Sequence, residues 1–345
     1  MIPIIDMHCD TIMVVHRNKL HGAADGLRSN EHHIDLDKLK RGGYMCQNMA
    51  LYTDMGDWAD SPSPYTDKLV GSTYAGPTEC ALAMSDVFNA EVQANSDLVA
   101  SALTAADIEA NFAAGKLSVL KTVEEGAAFA GSVDILRQFY DRGVRMTTLT
   151  WNYENELGYP NYFDWANGRS TPDTERGLKP AGKEIVSACK DLGIIVDISH
   201  LNDAGIWGVF DIMGTGTPIV ASHSNARAVT NHARNLSDEM LRALAECGGV
   251  AGINYCADFI NDRHDNMTTL ADMVAHIRHM ENVAGIESIG LGSDFDGIEN
   301  QLEFGDASGM QALAIALEQA GYSQDKIEKI FYKNVLRVYK NVIGG

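Results

Sequence analysis

Eight short, almost wholly apolar segments alternate with amphipathic ones along this chain, and that alternation limits the folds open to it. The apolar segments are Ile4–His8, Met45–Tyr52, Leu117–Val123, Arg145–Trp151, Ile194–Ser199, Pro218–Ser222, Val250–Tyr255 and Ser288–Ser293. Most are β-branched or near-continuously apolar, the pattern of strands covered on both faces. The stretches between them have helical periodicity and stop at glycine. Val133–Arg142 ends at Gly143, Lys179–Leu192 at Gly193, Asp203–Met213 at Gly214, Ser237–Cys247 at Gly248 and Leu270–Ala284 at Gly285. Glycine just past a helix is the usual C-terminal stop. Gly309–Ala320 and Gln324–Ile343 are also helical by period. Strands alternating with helices in this number predict an α/β fold, a (β/α)8 TIM-type barrel, with a doubly wound open sheet as the competing arrangement. The barrel is preferred because polar residues gather at the C-terminal ends of many strands, not one or two. Residues 1–345 are read as one barrel domain.

Two long connections break the rhythm. Thr53–Thr104 contains Pro62, Pro64 and Pro77 and a helical piece near Glu79–Asn95, and Asn152–Pro180 is rich in Asn, Tyr, Gly and Pro. Loops this long in a compact domain are usually functional. Both follow strands, so in a barrel they cover the mouth. The net charge of −20 argues against nucleic acid or an anionic membrane surface as partner. Six scattered cysteines without a C-x-x-C pair argue against a thiolate zinc finger or thioredoxin site and suit a reducing compartment. No signal peptide and no run of 18 apolar residues is visible, so the expectation is a cytoplasmic protein with no membrane span.

The strand ends carry the chemistry. The first ends in His8-x-Asp10, the third in Glu124–Glu125–Gly126, the fifth in Asp197–Ile198–Ser199–His200, the sixth in Ser222–His223–Ser224 and the eighth in Ser293–Asp294–Phe295–Asp296–Gly297. A single histidine after an apolar strand is more often structural than a ligand. Acidic and imidazole groups from several strands at one rim are harder to explain that way, because unpaired buried charge is destabilising. Divalent cations offset it, and imidazole with carboxylate is a good zinc donor set. His8, Asp10, His200, His223 and one carboxylate make five ligands, which fits two metals sharing a bridging carboxylate better than one. Asp294 is then a proton handler beside them. His32, His33, His276 and His279 read as ordinary helix or loop histidines, and Met45, Met49 and Met55 as core filling.

These pieces, in this order, closely resemble the membrane (renal-type) dipeptidases, the M19 metallopeptidases among the amidohydrolase-like barrels. The matching stretches are Ile5–Asp6–Met7–His8–Cys9–Asp10, Val123–Glu124–Glu125–Gly126, Asp197–Ile198–Ser199–His200, Ala221–Ser222–His223–Ser224, Arg234–Asn235 and Gly292–Ser293–Asp294–Phe295–Asp296–Gly297. Leu39 to Gln47 echoes a further family motif. The resemblance implies a zinc-dependent dipeptidase with two Zn2+ per chain, His8 and Asp10 on one, His200 and His223 on the other, and Glu125 bridging. It implies Asp294 as the catalytic carboxylate, a metal-bridging hydroxide as attacking group, dipeptides as substrates and a homodimer. It gives Arg234 the substrate's terminal carboxylate, a role that suits the guanidinium fork. Manganese or cobalt would suit the same ligands, and the chirality accepted at the second residue stays open.

Two features depart from the family. The strand that ends Leu-Thr-His in the renal-type members ends Leu149–Thr150–Trp151 here, so Asn152 or Tyr153 is expected to supply the substrate contact in place of that histidine. Glu124 and Glu125 are adjacent, and strand alternation lets only one point inward. The following Gly126 favours Glu125 by motif, with Glu124 the lesser candidate. Lys121 lies on the same strand, and a carbamylated lysine is the bridge in related barrels, but the motif puts glutamate there. Two rival functions share these residues: a binuclear amidohydrolase acting on N-acyl amino acids or cyclic amides, and a metal-binding barrel without catalysis. The second leaves Asp294 without a purpose.

Overall fold

A computed structural model describes residues 1–60, 63–164 and 169–344. Pro62 and residues 165–168 of the two long connections therefore lie outside the described residues. Eight parallel strands form a closed ring: β1 (Ile4–Asp6), β2 (Tyr44–Tyr52), β3 (Leu117–Glu124), β4 (Val144–Thr148), β5 (Ile195–Asp197), β6 (Val220–Ala221), β7 (Val250–Ile253) and β8 (Ile289–Leu291). Asp6 of β1 pairs with Leu291 of β8, and β2 pairs with β3 from Cys46–Ser118 to Tyr52–Glu124, so the ring has no open edge. The barrel expected from the alternation is the fold, and the open sheet is not.

Alternation sorts the strand residues into two layers. Ile5, Cys46, Leu120, Met146, Ile195, Val220 and Val250 pack in one buried cluster. The last helix (Asn334–Val342) contributes Val335, Val338 and Tyr339 to that cluster, and the Tyr339 hydroxyl donates to Asn48 Oδ1 of β2 at 3.0 Å. The neighbouring residues of opposite parity, Val119 and Val123 on β3 among them, join the larger cluster shared with the helices. Lys121 has that same outward parity. Its ammonium is fixed by Ser85 Oγ, Asn89 Oδ1 and the carbonyl of Arg142, away from any metal cluster.

Helix boundaries follow their caps. Ser132, Asn202, Ser237 and Thr269 accept backbone N–H groups at the starts of Val133–Asp141, Asp203–Met213, Asp238–Glu246 and Leu270–Ala284. The expected helix Gln324–Ile343 is three segments, Gln324–Glu328, a π-helical turn Lys329–Lys333 and Asn334–Val342. A short strand not expected from the sequence, Val99–Ser101, pairs with the start of β3. Among the described residues no helix is long and apolar enough to cross a membrane.

Except for β2 and β3, the barrel strands end earlier than expected. The ladder stops at Thr148, Asp197, Ala221 and Leu291, before the polar residues that were assigned to the strands. Leaving the ladder frees those residues to turn into the mouth. Close packing of the wall makes this possible at β7, where a Cβ on Gly252 would lie 2.1 Å from the carbonyl oxygen of Ser222. Gly252→Ala should therefore lose at least about 2 kcal/mol of stability in denaturant titration. Gly216→Ala, at a position with nothing within 4 Å of the added carbon, should stay within about 0.5 kcal/mol. Equal effects would show that the wall is not this tightly packed.

Candidate active site and metal centre

The chemistry at the mouth begins with backbone geometry. His200 has φ 67° and Asp294 φ 63°, left-handed values that ordinary side chains adopt at a cost. Both follow the ends of β5 and β8, and the reversed backbone turns each side chain over the barrel. Gly297 makes room for the result: a Cβ there would lie 2.3 Å from Asp10 Oδ2 and 2.7 Å from Asp294 Oδ1. The glycine closing the Ser-Asp-Phe-Asp-Gly stretch is thus fixed by two carboxylates.

Glu124, the last residue of β3, sits at the centre. Its Oε2 lies 3.2 Å from His8 Nε2, and its Oε1 lies 3.0 Å from His200 Nε2 and 3.6 Å from His223 Nε2. One oxygen faces one imidazole and the other faces the remaining two. His8 Nε2 also lies 3.4 Å from Asp10 Oδ2 and 3.8 Å from Asp294 Oδ1. The Nε2 atoms of His200 and His223 approach to 2.9 Å, and the His8 and His223 rings stack at 3.9 Å. His8, Glu124 and His223, and separately His8, Asp10 and Asp294, bring ligand atoms within 4.8 Å of one another.

Glu125 is a correction to the sequence expectation. Its carboxylate turns away from the imidazoles and accepts the backbone N–H of Ala127 at 2.9 Å and of Trp151 at 2.8 Å, and the side-chain amide of Asn155. Burial raises its pKa to about 7. The cause is register: β3 runs one residue further than expected, Glu124 pairs with Tyr52, and Glu124 shares inward parity with Leu120. Glu125 follows the ladder with φ 78° and caps the short turn Gly126–Phe129.

The donor set fits a cation. His8 Nε2 and Asp10 Oδ1 are buried and have no hydrogen-bond partner among the described residues. Burial raises the Glu124 pKa to about 8, against the opposing pull of His8. Burial disfavours a charged His8, but Glu124 and Asp10 outweigh it and hold that imidazole well above its ordinary pKa. Burial, with Arg234 and His8, pushes His200 and His223 well below theirs. A cluster left to protons is pulled both ways. A divalent cation favours ionised carboxylates and neutral imidazoles together.

Supporting groups orient the cluster. Asp197 accepts the backbone N–H of Ser199 and Ser222 and the Ser222 hydroxyl, which lies 2.6 Å from His223 Nδ1. Asp6 Oδ1 accepts the N–H groups of His8 and Ser293, tying β1 to β8. Asn254, just past β7, donates to Asp294 Oδ2 at 2.9 Å and to the carbonyl of His223 at 3.3 Å. Sequence reading passed over Asn254, although it is a polar residue at the end of an apolar strand like the others.

Arg234 is buried beside the cluster, with Nη1 3.4 Å from Ser224 Oγ and Nη2 3.3 Å from the His223 carbonyl. Its Nε has no partner among the described residues. Asn152 Oδ1 lies 3.4 Å from His200 Nδ1, so Asn152 stands behind a histidine. Tyr153 stacks on Trp151 at 6.3 Å and bonds to Ser63.

Residues 1–343 match the family model described as membrane dipeptidase (peptidase family M19). The crystal structure of a metallopeptidase called dipeptidase AC superposes with a TM-score of 0.87 at 28% identity, covering 100% of this chain and 99% of that one. A metallopeptidase from Rhodobacter sphaeroides, solved with a phosphinate mimic of L-Ala-D-Ala, gives 0.87 at 27% identity, covering 99% of each chain. Dipeptidase aclJ of Aspergillus oryzae is 30% identical over 314 residues, 90% of this chain and 70% of that protein.

The two glutamates give a direct test of the geometry. After loading with a divalent cation, Glu124→Gln should bind markedly less metal than the parent protein by elemental analysis. Glu125→Gln should keep the parent metal content and lose thermal stability, because its acceptor role is structural. The reverse ranking would return the metal role to Glu125.

Proposed function

The chain belongs to the membrane dipeptidase family, peptidase family M19, and from that premise we propose that it cleaves dipeptides using two divalent cations held by His8, Asp10, Glu124, His200 and His223. Family membership makes it a metallo-dipeptidase, a hydrolase of peptide bonds that depends on metal. The single observation that carries the two-cation reading is the division of the Glu124 oxygens, one toward His8 and one toward the His200 and His223 pair. Zinc is the cation proposed, since three imidazoles and carboxylate suit it.

Bound cations supply Lewis-acid polarisation of the scissile carbonyl and a more acidic water. The chain's own residues do the rest. Asn254 engages Asp294 Oδ2, which leaves Oδ1 facing the cluster 3.8 Å from His8 Nε2. Burial raises the Asp294 pKa, which improves its ability to take a proton from water and give it to the leaving amine. Both transfers occur at the same carboxylate, so the enzyme ends the cycle as it began. Arg234 receives the substrate's C-terminal carboxylate. Its guanidinium is buried, has a spare Nε donor and gains a counter-ion when substrate binds. A fork fixed beside the metal cluster selects a free C-terminus one residue beyond the scissile bond, which is the requirement of a dipeptidase.

Three measurements check this. Chelation should abolish dipeptide cleavage, and zinc should restore it. Asp294→Asn should keep its metal while kcat falls by roughly 100- to 10,000-fold; near-parental turnover would remove the proton-transfer role. Arg234→Ala should lower kcat/KM for a dipeptide by roughly 30- to 150-fold and spare its C-terminal amide. Equal losses on both substrates would show that Arg234 does not read the carboxylate. The relative from Rhodobacter sphaeroides holds a mimic of L-Ala-D-Ala, so both chiralities at the second residue belong in the substrate set.

A further inference from the structure

The mouth is asymmetric. Arg234, Ser224, Asn254 and Asp294 line the side above β6 to β8, and their polar atoms are joined by short contacts. The side above β2 to β4 is filled by aromatic rings. Trp151 meets the edge of Tyr52 at 5.1 Å and 63°, the edge of Tyr65 at 6.2 Å and 76°, and the stacked Tyr153 at 6.3 Å. The indole also lies 6.0 Å from the His200 imidazole. Trp151 is 9% and Tyr52 6% exposed, so these two rings occupy the space beside His200, while Tyr65 is 47% exposed and meets the indole from the open side.

The wall is also fixed in place. The Trp151 backbone N–H donates to Glu125 Oε2, and the same carboxylate holds Ala127 N–H and the Asn155 amide. Thus Glu125, out of reach of the imidazoles, anchors the residue that stands next to them.

We propose that Trp151, backed by Tyr52 and Tyr65, is a specificity-determining residue that restricts the N-terminal residue of the dipeptide to small side chains such as Gly and Ala. This inference rests on the dipeptidase reading. With the substrate carboxylate on Arg234 and the scissile bond at the metal cluster, the N-terminal residue extends toward β2 to β4. Adjacent Cα atoms are only about 3.8 Å apart, so a dipeptide cannot avoid that rim. A large side chain there must displace packed aromatic rings, whereas hydrogen or methyl need not.

The test compares kcat/KM for Gly-Ala, Ala-Ala, Leu-Ala and Phe-Ala, each with L- and D-alanine, in the zinc-loaded parent protein and in Trp151→Ala and Trp151→Leu. The parent should favour Ala-Ala over Phe-Ala by at least about 100-fold. Either variant should shrink that ratio by at least tenfold, mainly through KM for Phe-Ala. A merely structural role would lower all substrates together and leave the ratio unchanged, which would overturn the proposal. So would a parent enzyme that cleaves Phe-Ala as well as Ala-Ala, a result that needs no variant to fold. Failure of the metal-loaded parent to cleave any dipeptide would overturn the dipeptidase reading and the proposal with it, and is distinguishable from cleavage without size bias.

Discussion

The Glu124 carboxylate, buried between three imidazoles, is the interaction on which the rest of the site depends. Burying an unpaired carboxylate is costly, typically several kcal/mol after relaxation. Here Asp10 and Asp294 stand close to the same histidine, so the cluster accumulates negative charge that His8 alone does not balance. A low-dielectric mouth strengthens both the penalty and any compensating attraction. The features that make the metal-free cluster unfavourable are the ones that give it affinity for divalent cations.

The barrel makes this arrangement possible by ending its strands early. Parallel strands deliver their C-terminal ends to one rim; β3 carries Glu124 as its last paired residue, while in β5, β6 and β8 the ladder stops before the functional residues begin. Left-handed backbone at His200 and Asp294 then aims side chains over the axis. Such conformations cost about 1–3 kcal/mol each and persist because the surrounding contacts fix them. At β8 the strap is Asp6, whose oxygen holds the N–H groups of His8 and Ser293 together. Below, the apolar interior closed by Tyr339 supplies the rigid floor.

Much of this was legible in the sequence. All eight barrel strands were visible because each is apolar on both faces, and His8, Asp10, His200, His223 and Asp294 stood out as polar ends on apolar runs. The motif, with Gly126 following, favoured Glu125 over Glu124, and the geometry reverses that order. Parity along the strand contained the answer: Lys121 and Val123 face the helices, so Glu125 would too if the ladder continued, and Glu124 faces the axis. Asn152 was read as a substrate contact because it follows Trp151. It also lies beside His200 Nδ1, which comes from the adjoining strand, and no local pattern links residues 48 positions apart. The aromatic wall has the same origin, since Tyr52, Tyr65 and Trp151 meet only through the closed barrel and the long connection after β2.

We propose that Glu124 joins two cations across the barrel mouth. Anomalous diffraction at the zinc edge from crystals of the zinc-loaded protein measures this directly. Two peaks that share the Glu124 carboxylate are expected, one beside His8 and Asp10 and one beside His200 and His223. A single peak, or two peaks with Glu124 bound to neither, would contradict it.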